Sequence, residues 1–116
     1  MYWADKIAEK IEEDRGAKKP LIIRDEKTAS GRVHLGSLRG VVIHGIISDI
    51  LKERNVANKY LFEINDFDPM DDLPHYLDKE KFHKYLGRPL FSIPSPDGKA
   101  KNYALYFADE FKEAIK

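Results

Sequence analysis

Cysteine is missing from all 116 residues. That excludes disulfides and thiolate metal sites and fits a reducing compartment. Charge of one sign is not in excess either, with 20 Lys plus Arg against 20 Asp plus Glu. A dedicated nucleic-acid-binding domain is usually basic, so any RNA contact is expected to be local or to belong to another part of a larger molecule. No apolar run approaches the length of a membrane span. The opening MYWADKIAEK is charged and helical in pattern, with no apolar signal segment; the expected location is cytoplasmic, with no membrane partner. Internal repeats, low-complexity tracts and a composition shift that would mark a domain boundary are all lacking. What remains is an ordinary globular composition, 42% hydrophobic and 34% charged, enough for one modest core.

The apolar periodicities predict an alternating order of elements. Residues 2–16 read as an amphipathic helix with Trp3, Ile7 and Ile11 on one face, Ala4 and Ala8 beside them, and Gly16 as its stop. Ala17–Pro20 is a loop. LIIRD (Leu21–Asp25) suits a short buried strand. The longest periodic segment starts near Val33. Leu35, Leu38, Val41, Val42, Ile46 and Leu51, broadened by Ile43, Ile47 and Ile50, predict a helix buried on more than one side, ended by Asn55. NKYLFEIND (Asn58–Asp66) predicts a second strand with Tyr60, Phe62 and Ile64 on one face. Strand, helix, strand is a βαβ unit, hence an α/β fold with parallel strands and a right-handed crossover. Farther on, Asp78 caps a short helix stopped by Gly87, residues 88–99 form a surface loop, and residues 102–116 close the chain with an amphipathic helix, Ala104, Phe107, Ala108, Phe111 and Ile115 inward.

Functional groups in parallel sheets gather beyond the carboxyl ends of the strands. Two segments fall there: DEKTASGRVHLGS (Asp25–Ser37) and DFDPMDD (Asp66–Asp72). The first enters a helix from a strand, which makes it a natural anion site, because the first helical turn offers unpaired N–H groups and the positive end of a dipole. Gly31 and Gly36 permit close approach to the backbone. Thr28, Ser30 and Ser37 carry hydroxyl donors. Lys27, Arg32 and Arg39 add positive charge, and His34 stands at the helix entrance. Neither the Walker pattern nor the three-glycine dinucleotide pattern is present. The set is suited to holding negative charge, and more of it as charge develops, a contribution of ~3 kcal/mol per well-placed donor.

His34-Leu35-Gly36-Ser37 resembles the HIGH motif of class I aminoacyl-tRNA synthetases. TASGRVHLGSLRG (Thr28–Gly40) is similar to the T-P-S-G-x-x-H-x-G-N/S stretch of class I lysyl-tRNA synthetases. The N-terminal W-A-D helix, NDFDPMDDLP (Asn65–Pro74) and YLGRPLFSIPSPDG with NYALYFADEF (Tyr85–Phe111) resemble further segments of that family, in the same order. The resemblance implies the N-terminal half of a Rossmann-like (HUP-type) parallel-sheet nucleotide-binding domain over residues 1–116. It also implies a chemistry: lysine is activated with ATP to lysyl-adenylate, and the lysyl group passes to tRNA(Lys). Carried over residue by residue, His34 and Ser37 become catalytic. ATP is held by Thr28, Ser30, Gly31, His34, Gly36 and Ser37. The lysine substrate is faced by Asp25, Glu26, Thr28, Asp66 and Asp68. Magnesium is expected with the ATP, zinc only in a part of the family enzyme not represented here, and no metal on this chain. Ala29 replaces the family's usual proline. No counterpart of the K-M-S-K-S loop, of the anticodon-binding domain or of the zinc segment is found, so tRNA(Lys) contacts and most activity are expected to reside elsewhere.

Two other readings compete. A small nucleotidylyltransferase shares a similar histidine motif but leaves the lysine-enzyme segments unexplained. A non-catalytic piece that pairs with a partner chain through an exposed sheet edge would be expected to associate. Read singly, His44 is a packed mid-helix histidine, His75 and His83 are exposed, and Trp3 is core. DFDPMDD lacks the glycine and terminal glutamate of a calcium loop.

Overall fold

A computed structural model describes residues 2–15 and 20–116. The element order is α1 (Trp3–Arg15), β1 (Leu21–Thr28), α2 (Leu35–Glu53), β2 (Asn58–Asn65), α3 (Lys79–Phe82) and α4 (Tyr103–Ala114), with 3-10 turns at His83–Tyr85 and Leu90–Ser92. This is an α/β arrangement, and β1 and β2 form a two-stranded parallel sheet. The chain divides into two compact units, one of Met1–Glu26 and Gly36–Glu63, the other of Lys27–Leu35 and Ile64–Lys116. Each unit is built from two stretches of sequence that interleave, so no single composition shift marks them.

In the first unit, α1 contributes small residues to the interior. Ala4 and Ala8 are fully buried, whereas Trp3 is 42% exposed and Ile7 nearly as much. The buried face is therefore rotated from the predicted one: Trp3 is not core, and Ala4 and Ala8 are the buried residues of α1. Ala8, Leu51 and Val56 form the buried cluster, with Ile11, Leu21, Ile23, Ile47 and Ile50 packed on it. The expected stop Gly16 and residues 17–19 of the expected loop lie outside the described residues. The α2 helix ends in a Schellman motif. Asn55 takes φ 60°, the Val56 N–H donates to the Leu51 carbonyl at 2.8 Å and the Asn55 N–H to the Lys52 carbonyl at 2.9 Å. Ser48, buried within α2, is satisfied by Asn58, to whose Oδ1 it donates at 2.6 Å, while the Asn58 amide returns a bond to the Ser48 carbonyl at 3.1 Å.

Two expectations need correction here. First, α2 is not buried on several sides: only Ser48 and Leu51 are, and Leu35 is 87% exposed. Second, β1 runs on through Thr28 and alternates half-buried with exposed residues, so it is longer than LIIRD and not fully buried; Ile22 is 50% exposed. Asp25, Glu26 and Lys27 are thus strand residues, not loop. In β2, Tyr60, Phe62 and Ile64 do share the more buried face.

The second unit has an aromatic core. Ala29, Met70, Leu77, Phe82, Leu90, Ile93, Tyr103, Ala104 and Phe107 are buried together, and the Tyr103 and Phe107 rings lie 4.8 Å apart. Asn102 caps α4 by accepting from the Leu105 N–H at 2.8 Å, and Asp78 caps α3 by accepting from the Lys81 N–H at 3.2 Å. Residues 88–99 are not a mere surface loop. Leu90, Ile93 and Ser95 are buried, and Asp97 anchors the turn by accepting from the Ser95 hydroxyl and from the Lys99 N–H at 2.9 Å. These bonds, the serine's first, hold the Asp97 carboxyl below the usual carboxylate range.

Candidate functional site

The second unit contains the loop from Lys27 to Leu35, and four side chains distant in sequence hold it in shape. The Thr28 hydroxyl donates to the Asp68 carboxylate at 2.6 Å. The Ser30 carbonyl accepts from the Tyr103 hydroxyl at 2.7 Å. The Arg32 N–H donates to the Tyr76 hydroxyl at 2.6 Å, and the Val33 N–H donates to Glu110 Oε1 at 2.9 Å. The Ala29 N–H continues the strand ladder to the Asn65 carbonyl at 3.2 Å. A glycine-rich loop would otherwise sample many conformations; here the Ala29, Arg32 and Val33 N–H groups and the Ser30 carbonyl are committed. The Tyr103 hydroxyl is driven to a higher pKa by burial, with a smaller push from Tyr76. It therefore stays a neutral donor to Ser30.

These contacts leave one open cleft of about 390 Å³, lined by Lys27, Ser30, Gly31, Arg32, Val33 and His34 of the loop and by Pro74, His75 and Tyr76 opposite. Its ionisable lining consists of a lysine, an arginine, two histidines and the Tyr76 phenol, with no carboxylate. The Arg32 guanidinium sits 4.3 Å from the centre of the Tyr76 ring. His34 is exposed and immediately precedes α2, whose first turn contains Gly36 and Ser37. In chemical terms the cleft can receive an anion, but the space that Gly31's missing side chain leaves is taken by the Tyr76 hydroxyl, so the close approach to the backbone expected at Gly31 is made by that phenol.

The acidic segment after β2 is firmly built. Residues 66–70 run antiparallel to 87–91, with the Leu90 and Phe91 N–H groups donating to the Asp68 and Asp66 carbonyls at 3.0 and 2.9 Å. The Asn65 side chain accepts from the Phe67 and Asp68 N–H groups at 3.0 and 3.2 Å. Met70 is buried beneath. Asp68 meets Thr28, so the two segments expected beyond the strand ends do come together at that pair; the Asp66 side chain is exposed.

Asp25 and Glu26 belong to the first unit. The Asp25 carboxylate is only 12% exposed. It accepts from the Tyr60 hydroxyl at 3.1 Å and from the Glu26 N–H at 2.8 Å. Burial, then the Asp25 charge and hydrogen bond, push the Tyr60 phenol up to about 12. His44 Nδ1 lies 3.6 Å from Asp25 and donates to the Gly40 carbonyl at 2.7 Å, as befits a packed histidine. Glu26 opens on a shallow cleft with Arg24, Asp25 and Glu63, where Arg24 pairs with Glu63.

Sequence reasoning missed Tyr76, Tyr103 and Glu110 as holders of the loop. Their partners lie 44, 73 and 77 residues away, beyond any local pattern. His75 and His83 are exposed as expected, yet His75 also lines the cleft.

Over residues 1–116 the chain matches the family described as tRNA synthetases class I (K), and it belongs to that family. It is 36% identical to a lysine–tRNA ligase of Methanocaldococcus jannaschii over 99% of this chain and 21% of the relative. Against the lysine–tRNA ligase of Methanococcus maripaludis it is 34% identical over 100% of this chain and 21% of the relative. Against that of Pyrococcus horikoshii it is 30% identical over 100% of this chain and 22% of the relative. The chain thus spans about a fifth of the length of these curated relatives.

Proposed function

We propose that this chain is the amino-terminal ATP- and lysine-binding part of a lysine–tRNA ligase, with the architecture of half a Rossmann-like nucleotide-binding domain across residues 1–116. The observation that carries the proposal is the cleft lined by Lys27, Arg32, His34 and His75, with no carboxylate among its lining residues. Such a cleft suits the phosphates of ATP. His34 binds them and stabilises the charge that builds up as the lysine carboxylate attacks the α-phosphate. Ser30 and Gly31 shape the cleft. Gly36 admits the adenosine and Ser37 supplies a donor from the first turn of α2. Thr28 and Asp68 act as a bonded pair beside the loop.

Among the candidates for the lysine ammonium, the exposed Asp66 retains its carboxylate for a ligand, whereas Asp68 and Asp25 already accept hydrogen bonds from Thr28 and Tyr60. Glu26 stands with Asp25. Magnesium is taken to enter with ATP; among the described residues no group of three or more His, Asp or Glu side chains is arranged to hold a metal ion. Transfer to tRNA(Lys) falls to the rest of a longer protein, in the cytoplasm. Among the described residues no helix is long and apolar enough to cross a membrane.

The similarity to lysine–tRNA ligases along the whole chain favours this reading over a small nucleotidylyltransferase. In a full-length ligase carrying this segment, His34→Ala is expected to lower the rate of lysine-dependent ATP–pyrophosphate exchange by roughly 100-fold or more. Lysine affinity should change little. A defect confined to lysine affinity would reject the role given to His34.

A further inference from the structure

We propose that Tyr76 is a ligand-binding residue of the cleft, its hydroxyl donating a hydrogen bond to a phosphate oxygen of the bound nucleotide. The inference rests on the reading of the cleft as a phosphate site and extends its donor set beyond the glycine-rich loop.

Three observations carry it. The Tyr76 hydroxyl accepts from the Arg32 N–H at 2.6 Å, and a phenol that accepts there still has its own proton to give. The hydroxyl lies so close to Gly31 that a β-carbon at that position would overlap it, so the phenol, and not open space, lines the cleft beside that glycine. The ring is fixed on both sides: it packs against Phe107 of α4 at 6.2 Å and meets the His75 ring edge-on at 5.4 Å. The Arg32 guanidinium covers its face. A hydroxyl held this way needs little reordering to serve a ligand. Its neighbours around the cleft, Lys27, Arg32, His34 and His75, are basic or neutral, so an anionic acceptor is the partner such a donor fits. His34 and His75 line the same cleft from separate segments.

The test uses the 116-residue chain with inorganic tripolyphosphate as probe, the tyrosines being labelled as 3-fluorotyrosine. Comparison with Tyr76→Phe assigns the Tyr76 fluorine resonance. That resonance is expected to move on titration with tripolyphosphate while the buried Tyr103 resonance stays in place. Tyr76→Phe should bind the probe about ten-fold more weakly, the loss of one hydrogen bond to a charged acceptor, with an unchanged far-ultraviolet circular dichroism spectrum. Unchanged affinity in Tyr76→Phe overturns the proposal. Weaker affinity with no movement of the Tyr76 resonance overturns it too, since the hydroxyl would then act only through the Arg32 peptide. If wild type shows no saturable binding, the phosphate reading of the cleft falls and this proposal falls with it. Binding by wild type that Tyr76→Phe retains leaves the phosphate reading standing and removes only Tyr76.

Discussion

Replacing Gly40 by alanine sets two effects of known size against each other. Gly40 lies inside α2, where alanine is favoured over glycine by about 1 kcal/mol. A β-carbon there, however, would come 2.8 and 3.0 Å from the two Asp25 carboxylate oxygens and 3.2 Å from their carbon. That carboxylate cannot simply swing away, because it is mostly buried and holds the Tyr60 hydroxyl. Overpacking of this kind costs about 1–3 kcal/mol, and disturbing a hydrogen bond to a charged group adds ~1 kcal/mol or more. The net expectation for Gly40→Ala is a loss of about 1–3 kcal/mol. Gly45, on the same helix, has nothing within 4 Å of its added β-carbon, so Gly45→Ala should gain up to about 1 kcal/mol. Urea unfolding of the two variants gives both signs. The decisive comparison repeats Gly40→Ala in an Asp25→Ala background, where the obstructing carboxylate is gone and the helix preference should reappear as a gain. Stabilisation by Gly40→Ala in the wild-type chain, matching Gly45→Ala, would refute the argument that Asp25 is seated against the helix backbone.

Other outcomes follow from the same structure. The raised Tyr60 pKa implies that its contribution to stability is complete below the unfolded tyrosine value near 10 and is lost as pH rises through about 12. The urea midpoint of wild type should therefore fall more steeply than that of Tyr60→Phe above pH 10, and parallel curves would count against the Asp25–Tyr60 bond. Because Asn55 sits at positive φ, Asn55→Ala should cost about 1 kcal/mol and Asn55→Gly almost nothing; equal costs in urea melts would contradict the left-handed cap. Asn102→Ala should destabilise by ~1 kcal/mol through loss of the α4 cap, and amide exchange at Leu105, whose N–H the cap accepts, should speed up. With Ile22 and Leu61 exposed on the sheet, sedimentation of the 116-residue chain should show concentration-dependent association, and a monomer throughout the micromolar range would dismiss it.

Much of this was legible in the chain itself. The order helix, strand, loop, helix, strand follows from local periodicity, and the Asn55 stop and the Asp78 cap follow from side-chain chemistry that acts within a few residues. The run Thr28–Gly40 was sufficient to nominate an anion-binding loop, because glycines, hydroxyls and a histidine at a helix entrance are written contiguously. What tertiary structure alone decided is which of several equally apolar residues is buried and what closes the site. In α1, Ala4 and Ala8 rather than Trp3 are buried, because which face of a helix turns inward depends on what the rest of the chain brings against it. Asp25 turned out to be seated against Gly40 and Tyr60, and Tyr76, Tyr103 and Glu110 to hold the loop. These contacts join residues tens of positions apart, and no pattern of period two or 3.6 carries that information. The sequence named the loop's chemistry; its shape depends on distant side chains brought beside it by folding.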